Sequence, residues 1–82
     1  MKNKLPVSDE IHELFCECHG AIKCRDFAIK SFSHAERAIY YAGKAEKLRT
    51  KAWRKVFALY PQTKNGKWLY DMEFQWVYQE EA

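Results

Sequence analysis

From residue 9 onward the apolar positions recur at intervals of three and four. Ile11, Leu14, Phe15, Cys18 and Ile22 fall on one side of a helix that turns about 100° per residue. Asp9, Glu10, Glu13 and Glu17 fall on the opposite side and make an acidic outer ridge. Ser8 stands where an N-cap is needed, and Asp9 and Glu10 occupy the first turn, where the helix dipole favours acids. The spacing predicts a helix over residues 8–30, if "AIKCRDFAIK" continues it past Gly20. An extended course for residues 22–32 is the alternative. Residues 1–7, ending in "LPV", read as a short flexible arm.

A second helix is predicted over residues 33–60. "SHAE" at 33–36 has the form of a capping box, with Ser33 accepting from free amides and Glu36 reaching back. Pro61 sets the far end. Ala38, Ala42, Ala45, Ala52, Trp53, Val56, Leu59 and Tyr60 share one face, and its first half is nearly all alanine. Side chains that small let the first helix approach closely.

After the turn-forming "PQTKNGKW", centred on Asn65-Gly66, the period changes to two. Trp68, Tyr70, Met72, Phe74, Trp76 and Tyr78 alternate with Leu69, Asp71, Glu73, Gln75, Val77 and Gln79, which predicts a β segment over residues 67–79. A strand needs a neighbour to satisfy its backbone. Three are open to it: its own second half in a hairpin, an extended 22–32, or another chain, as in a homo-oligomer paired across a two-fold axis. The expected fold class is α+β, mostly α: a two-helix hairpin followed by a C-terminal β segment packed on or beside it, residues 1–82 forming a single small domain.

Composition sharpens this picture. A chain of 82 residues has a small core, and five Phe, five Tyr and three Trp supply large side chains to fill it. The same residues could serve at an interface, with Trp68, Tyr70, Trp76 and Tyr78 as the aromatic candidates. Abundant apolar residues with few Gly and Pro exclude a disordered chain. No apolar run follows the basic start, and none approaches the length of a membrane span, so no membrane partner is expected. Three cysteines cannot all pair within one chain. A reducing, cytoplasmic setting is the simplest one.

All three cysteines and two of the three histidines lie in "HELFCECHGAIKC", residues 12–24. On a continuous helix Cys16, Cys18 and Cys24 diverge, and "CEC" with a distant Cys24 is not the paired spacing of a structural zinc site. His12, Cys16 and His19 do share a stripe, with His34 as a conceivable fourth ligand, but Lys23 extends that stripe and opposes a cation. A Cys16 nucleophile paired with His12 or His19 lacks a third group to orient the base. No phosphate loop, H-E-x-x-H or G-x-S-x-G occurs. The expectation is therefore no metal, no cofactor and no enzymatic activity.

Charge carries the stronger signal. Between residues 34 and 60, Arg37, Lys44, Lys47, Arg49, Lys51, Arg54 and Lys55 stand against Glu36 and Glu46 alone. That segment is +5, leaving −2 for the rest of a chain whose total is +3. Arg37, Tyr40, Lys44, Lys47, Lys51 and Arg54 follow three-four spacing and form one ridge about 26 Å long. Duplex DNA carries one charge per roughly 1.7 Å of axis, so such a ridge can meet several phosphates. Arg49 projects near the apolar face beside Trp53, where it must pair with an acid of the first helix or the strand, snorkel, or join a binding surface. The leading reading is a non-enzymatic binding protein whose partner is another protein. It would modulate or inhibit a larger assembly, such as a nucleic-acid-processing machine, in the manner of an inhibitor or accessory protein carried by a mobile element. The second reading is direct nucleic-acid binding through the basic ridge.

Overall fold

Ser8 starts the first helix as its position demands. Its Oγ accepts from the Ile11 amide at 3.4 Å, and its carbonyl accepts from His12 at 3.0 Å. The computed structural model describes residues 4–30 and 35–80. In it the chain runs β1 (Lys4–Pro6), α1 (Asp9–Lys30), α2 (Ala35–Leu59), a 3-10 turn (Pro61–Lys64), β2 (Trp68–Asp71) and β3 (Trp76–Gln79). The class is α+β, mostly α. Helix α1 passes through Gly20 without a break and includes residues 22–30. Residues Ser33 and His34 of the expected capping box and metal stripe lie outside the described residues.

α1 and α2 are antiparallel, since Glu10 meets Lys55, Phe15 meets Trp53 and Cys18 meets Ala45. Ala21, Ala45 and Ala52 are buried along their contact, so the small residues of α2 do admit α1. Burial raises the Cys18 thiol pKa, and the protonated thiol reaches the Ala45 carbonyl at 3.3 Å.

The sheet covers only one end of this hairpin. There Val77 and Val56, both fully buried, meet Val7, Ile11, Leu14 and Phe15. Strand order is β1-β3-β2, all antiparallel, with β3 in the centre. Leu5 and Tyr70 both lie opposite Val77, which puts the three on the face turned to the helices. Leu69 and Lys4 lie opposite Tyr78, and Asp71 and Pro6 lie opposite Trp76, on the outer face.

Two expectations need correction here, and one alternative is decided. The arm is not free: Lys4–Pro6 forms a strand, Val7 is buried, and the Tyr60 hydroxyl donates to the Pro6 carbonyl at 2.7 Å. Three residues are too few for a period to register, and the partner edge is more than 70 positions away. Of the neighbours open to the β segment 67–79, its own second half is one, and the segment folds as a hairpin. Its strands are joined by four residues, Met72 to Gln75. Asp71 Oδ1 accepts from the amides of Glu73 and Phe74 at 2.9 and 3.1 Å, and the Gln75 amide returns to the Asp71 carbonyl at 3.0 Å. Finally, the turn reverses the alternation. Trp68 and Tyr70 face the helices, whereas Trp76 and Tyr78 face away, so the four aromatics do not form one surface.

Gln75 closes the turn at φ 57°, a conformation that a residue with a Cβ adopts at some cost. Its side-chain amide offsets that cost by donating to the Val7 carbonyl at 3.0 Å and to Asp9 Oδ1 at 2.9 Å. Gly66, at φ 85°, is constrained differently: a Cβ there would lie 2.7 Å from the Gln79 amide nitrogen.

Val77→Ala removes two methyl groups from a fully buried central-strand site. It is expected to cost about 2–3 kcal/mol, read as a lower urea midpoint at unchanged m-value.

Candidate functional site

Helix α2 rests on α1 through its alanine face, and geometry then turns its opposite side to solvent. Arg37, Tyr40, Lys44, Lys47, Lys51 and Arg54, stepping by three and four, are all exposed. Four cations outside the ridge are ion-paired: Arg25 with Asp26, Arg49 with Glu46, Lys55 with Glu10 and Lys67 with Glu80, at 2.9–3.0 Å. Among the described residues no carboxylate forms an ion pair with the five ridge cations. Glu10 is held below the usual carboxylate range, chiefly by Lys55 bound to it and secondarily by the charge of Lys51.

Arg49 lies beside Trp53, the two lining one groove, but it does not pair with an acid of α1 or of the sheet. Its guanidinium takes both oxygens of Glu46, one turn earlier, at 3.0 and 3.2 Å. The bound carboxylate raises the Arg49 pKa further. An exposed pair of this spacing contributes roughly 0.3–0.5 kcal/mol, so Arg49 remains available to an incoming anion.

The ridge ends in a groove of about 560 Å³ between the last turns of α2 and the segment leading into β2. Trp53, Arg54 and Phe57 form one wall, Lys64, Gly66 and Trp68 the other, with Arg49 and Thr50 at its upper end. No acidic side chain lines it. Two of its rings are held by residues outside the groove: Trp53 stands edge-on to Phe15 at 5.4 Å, and the Trp68 indole donates to the Asn65 carbonyl at 2.9 Å; Phe57 lies 6.0 Å from Trp53 in the same wall. Of these residues the sequence pattern singled out Arg49, Arg54 and Trp68. Trp53 and Phe57, four apart and flanking Arg54, carried a local signal. Lys64 carried none, because only the 3-10 turn after Pro61 brings it back beside α2.

The aromatic candidates separate in role. Tyr70 stacks on Phe15 with centroids 3.9 Å apart and bonds His12 through its hydroxyl. Trp76 stacks on Phe74 at 4.9 Å and lies under the Lys4 ammonium at 4.5 Å. Tyr78 sits half-buried next to it on the outer face.

Around His12 the structure supplies the third group that the sequence did not reveal. Tyr70 lies on Nδ1 and Cys16 Sγ lies 3.3 Å from Nε2. Burial, with the neighbouring Cys16 and Asp71, pushes the Tyr70 pKa up to about 12, so the phenol keeps its proton. Where the phenol donates to Nδ1, the neutral imidazole carries its own proton on Nε2 and donates it to sulfur. In that tautomer His12 is not placed to take a proton from Cys16. The amides around Cys16 are inside α1, bonded to carbonyls four residues back, and offer no oxyanion donors. His19 is exposed and does not join the pair. Among the described residues no three His, Cys, Asp or Glu side chains converge to hold a metal ion. No helix there is long and apolar enough to cross a membrane.

No protein-family model, curated protein or solved structure matches this chain.

Tyr70→Phe keeps the ring on Phe15 and deletes one half-buried hydrogen bond. It is expected to cost about 1 kcal/mol in urea unfolding. His12→Ala is expected to leave the alkylation rate of Cys16 within about threefold, whereas loss of a working base costs about a hundredfold or more.

Proposed function

We propose that the protein is a non-enzymatic nucleic-acid-binding protein that holds a phosphate backbone along the exposed side of α2. The observation that carries this reading is the set of five cations spaced over about 26 Å of helix, none of them ion-paired within the described chain. Unpaired cations on a rigid helix can release condensed counterions from a polyanion without first breaking internal contacts. Tyr40, exposed in the same row, offers a ring to a sugar or base. The reading asks nothing of Glu13 and Glu17. Three unpaired thiols, two of them exposed, suit a reducing compartment such as the cytoplasm.

A second reading is favoured by a separate observation. Phe27, Ile29, Ile39 and Tyr40 are 72%, 64%, 74% and 63% exposed at the end of the hairpin remote from the sheet. Apolar side chains gathered there fit a protein partner, and with it an inhibitor or modulator of a larger nucleic-acid-processing assembly, of the kind mobile elements encode. The C-terminal strand adds nothing to that reading, because β3 has neighbours on both sides within the chain.

Reversing Lys47→Glu and Lys51→Glu together is expected to lower duplex DNA affinity at least about tenfold, while Glu13→Gln with Glu17→Gln changes it less than about twofold. Five phosphate contacts give a slope of about −4.5 for log affinity against log salt concentration. Fluorescence anisotropy over a salt series measures both. Affinity that ignores salt, or that survives the double reversal, excludes the ridge as the contact surface.

A further inference from the structure

We propose that the groove at the foot of α2 receives an unstacked base, so that the chain prefers single-stranded nucleic acid to duplex. This inference rests on the reading of the ridge as a phosphate contact and adds the form of the ligand.

Continuity is the first argument. Thr50 and Arg54 line the groove and also the strip of α2 that carries Lys47 and Lys51. A strand whose phosphates follow the ridge is thereby led into the groove.

The second argument is the chemistry of the walls. Arg49, Arg54 and Lys64 surround the groove with positive charge, and no acid lines it. Glu46, the nearest carboxylate in the strip, is already bound to Arg49. Trp53, Phe57 and Trp68 add three half-buried rings, and Trp53 and Trp68 are held by Phe15 and the Asn65 carbonyl, so these two have little side-chain freedom to lose on binding. Cations that track a backbone, alternating with rings on which bases stack, are the physical means by which single strands are held.

The third argument is size. About 560 Å³ lies within the range of roughly 300–1,000 Å³ that holds a small organic group. Bases inside a duplex are stacked and paired and cannot enter such a space without being turned out. The groove also has little with which to read base edges. Thr63 Oγ1 already donates to the Tyr60 carbonyl at 2.7 Å, which leaves Thr50 as the neutral side-chain hydroxyl. Binding should therefore tolerate any sequence.

The test compares a labelled oligothymidine with a duplex of the same length by anisotropy, at matched salt, with tryptophan emission recorded alongside. One stacked base corresponds to roughly a 5- to 150-fold gain in affinity. The expected result is tighter single-strand binding within that range, accompanied by quenching of tryptophan emission. Lys64→Glu, at an exposed site without an ion pair, and Phe57→Ala are each expected to bring the oligothymidine down toward the duplex while leaving the duplex affinity within about threefold. Circular dichroism confirms folding, and Lys64→Glu carries the test if Phe57→Ala unfolds. Equal or tighter duplex binding, or a single-strand preference untouched by Lys64→Glu, overturns the groove assignment and leaves the ridge standing. Failure to bind either nucleic acid at low salt overturns both.

Discussion

Ala21, Ala45 and Ala52 are buried where α1 meets α2, and Cys18 reaches across to the carbonyl of Ala45. Such contact requires that neither helix carry bulk at the crossing, and most other features follow from it. Once α2 has committed its small residues to α1, its lysines and arginines have only solvent left to face. The large buried residues of the helices collect at one end, where Ile11, Phe15, Trp53 and Val56 need a cover that two helices cannot give. The sheet supplies it, with Val77 as its most deeply buried member. Charge and bulk are thus segregated by packing.

The helices were legible because each is long enough for its period to repeat. Ser8, the first-turn acids and Pro61 marked boundaries that agree with the structure to within a residue or two. The β segment was half legible. Its alternation identified extended chain, but four turn residues exchange the faces of Trp68 and Trp76, and nothing at Asp71 or Gln75 announces this. Asp71 acts through local bonds to Glu73 and Phe74, and Gln75 takes a left-handed conformation more often given to glycine. The strand formed by Lys4–Pro6 was hidden by its brevity.

The candidate site divides in the same way. The ridge belongs to one helix, so spacing alone put Arg37 through Arg54 in a row, and the structure exposes all six members. The groove is made by tertiary folding. Trp53 and Phe57 come from α2, Lys64 from the 3-10 turn and Trp68 from β2, and no spacing rule joins them. The partner of Arg49 was not legible for a related reason: a helical wheel assigns a direction to its Cβ, but the long side chain bends to Glu46. The Tyr70–His12 bond spans 58 positions and is equally invisible along the chain.

β1 finds β3 because the helical hairpin returns the chain to its starting point. α1 travels about 33 Å outward over 22 residues and α2 about 37 Å back over 25. The two lengths are therefore coupled. One extra turn in either helix alone would displace its end by about 5.4 Å, more than the 4.7–4.9 Å between neighbouring strands. Lys4–Pro6 would then miss its place beside Trp76–Tyr78, and the Gln75 amide would miss Val7 and Asp9. Length variation in this architecture is confined to matched pairs of insertions, one in each helix, which would lengthen the exposed arm while leaving its base unchanged.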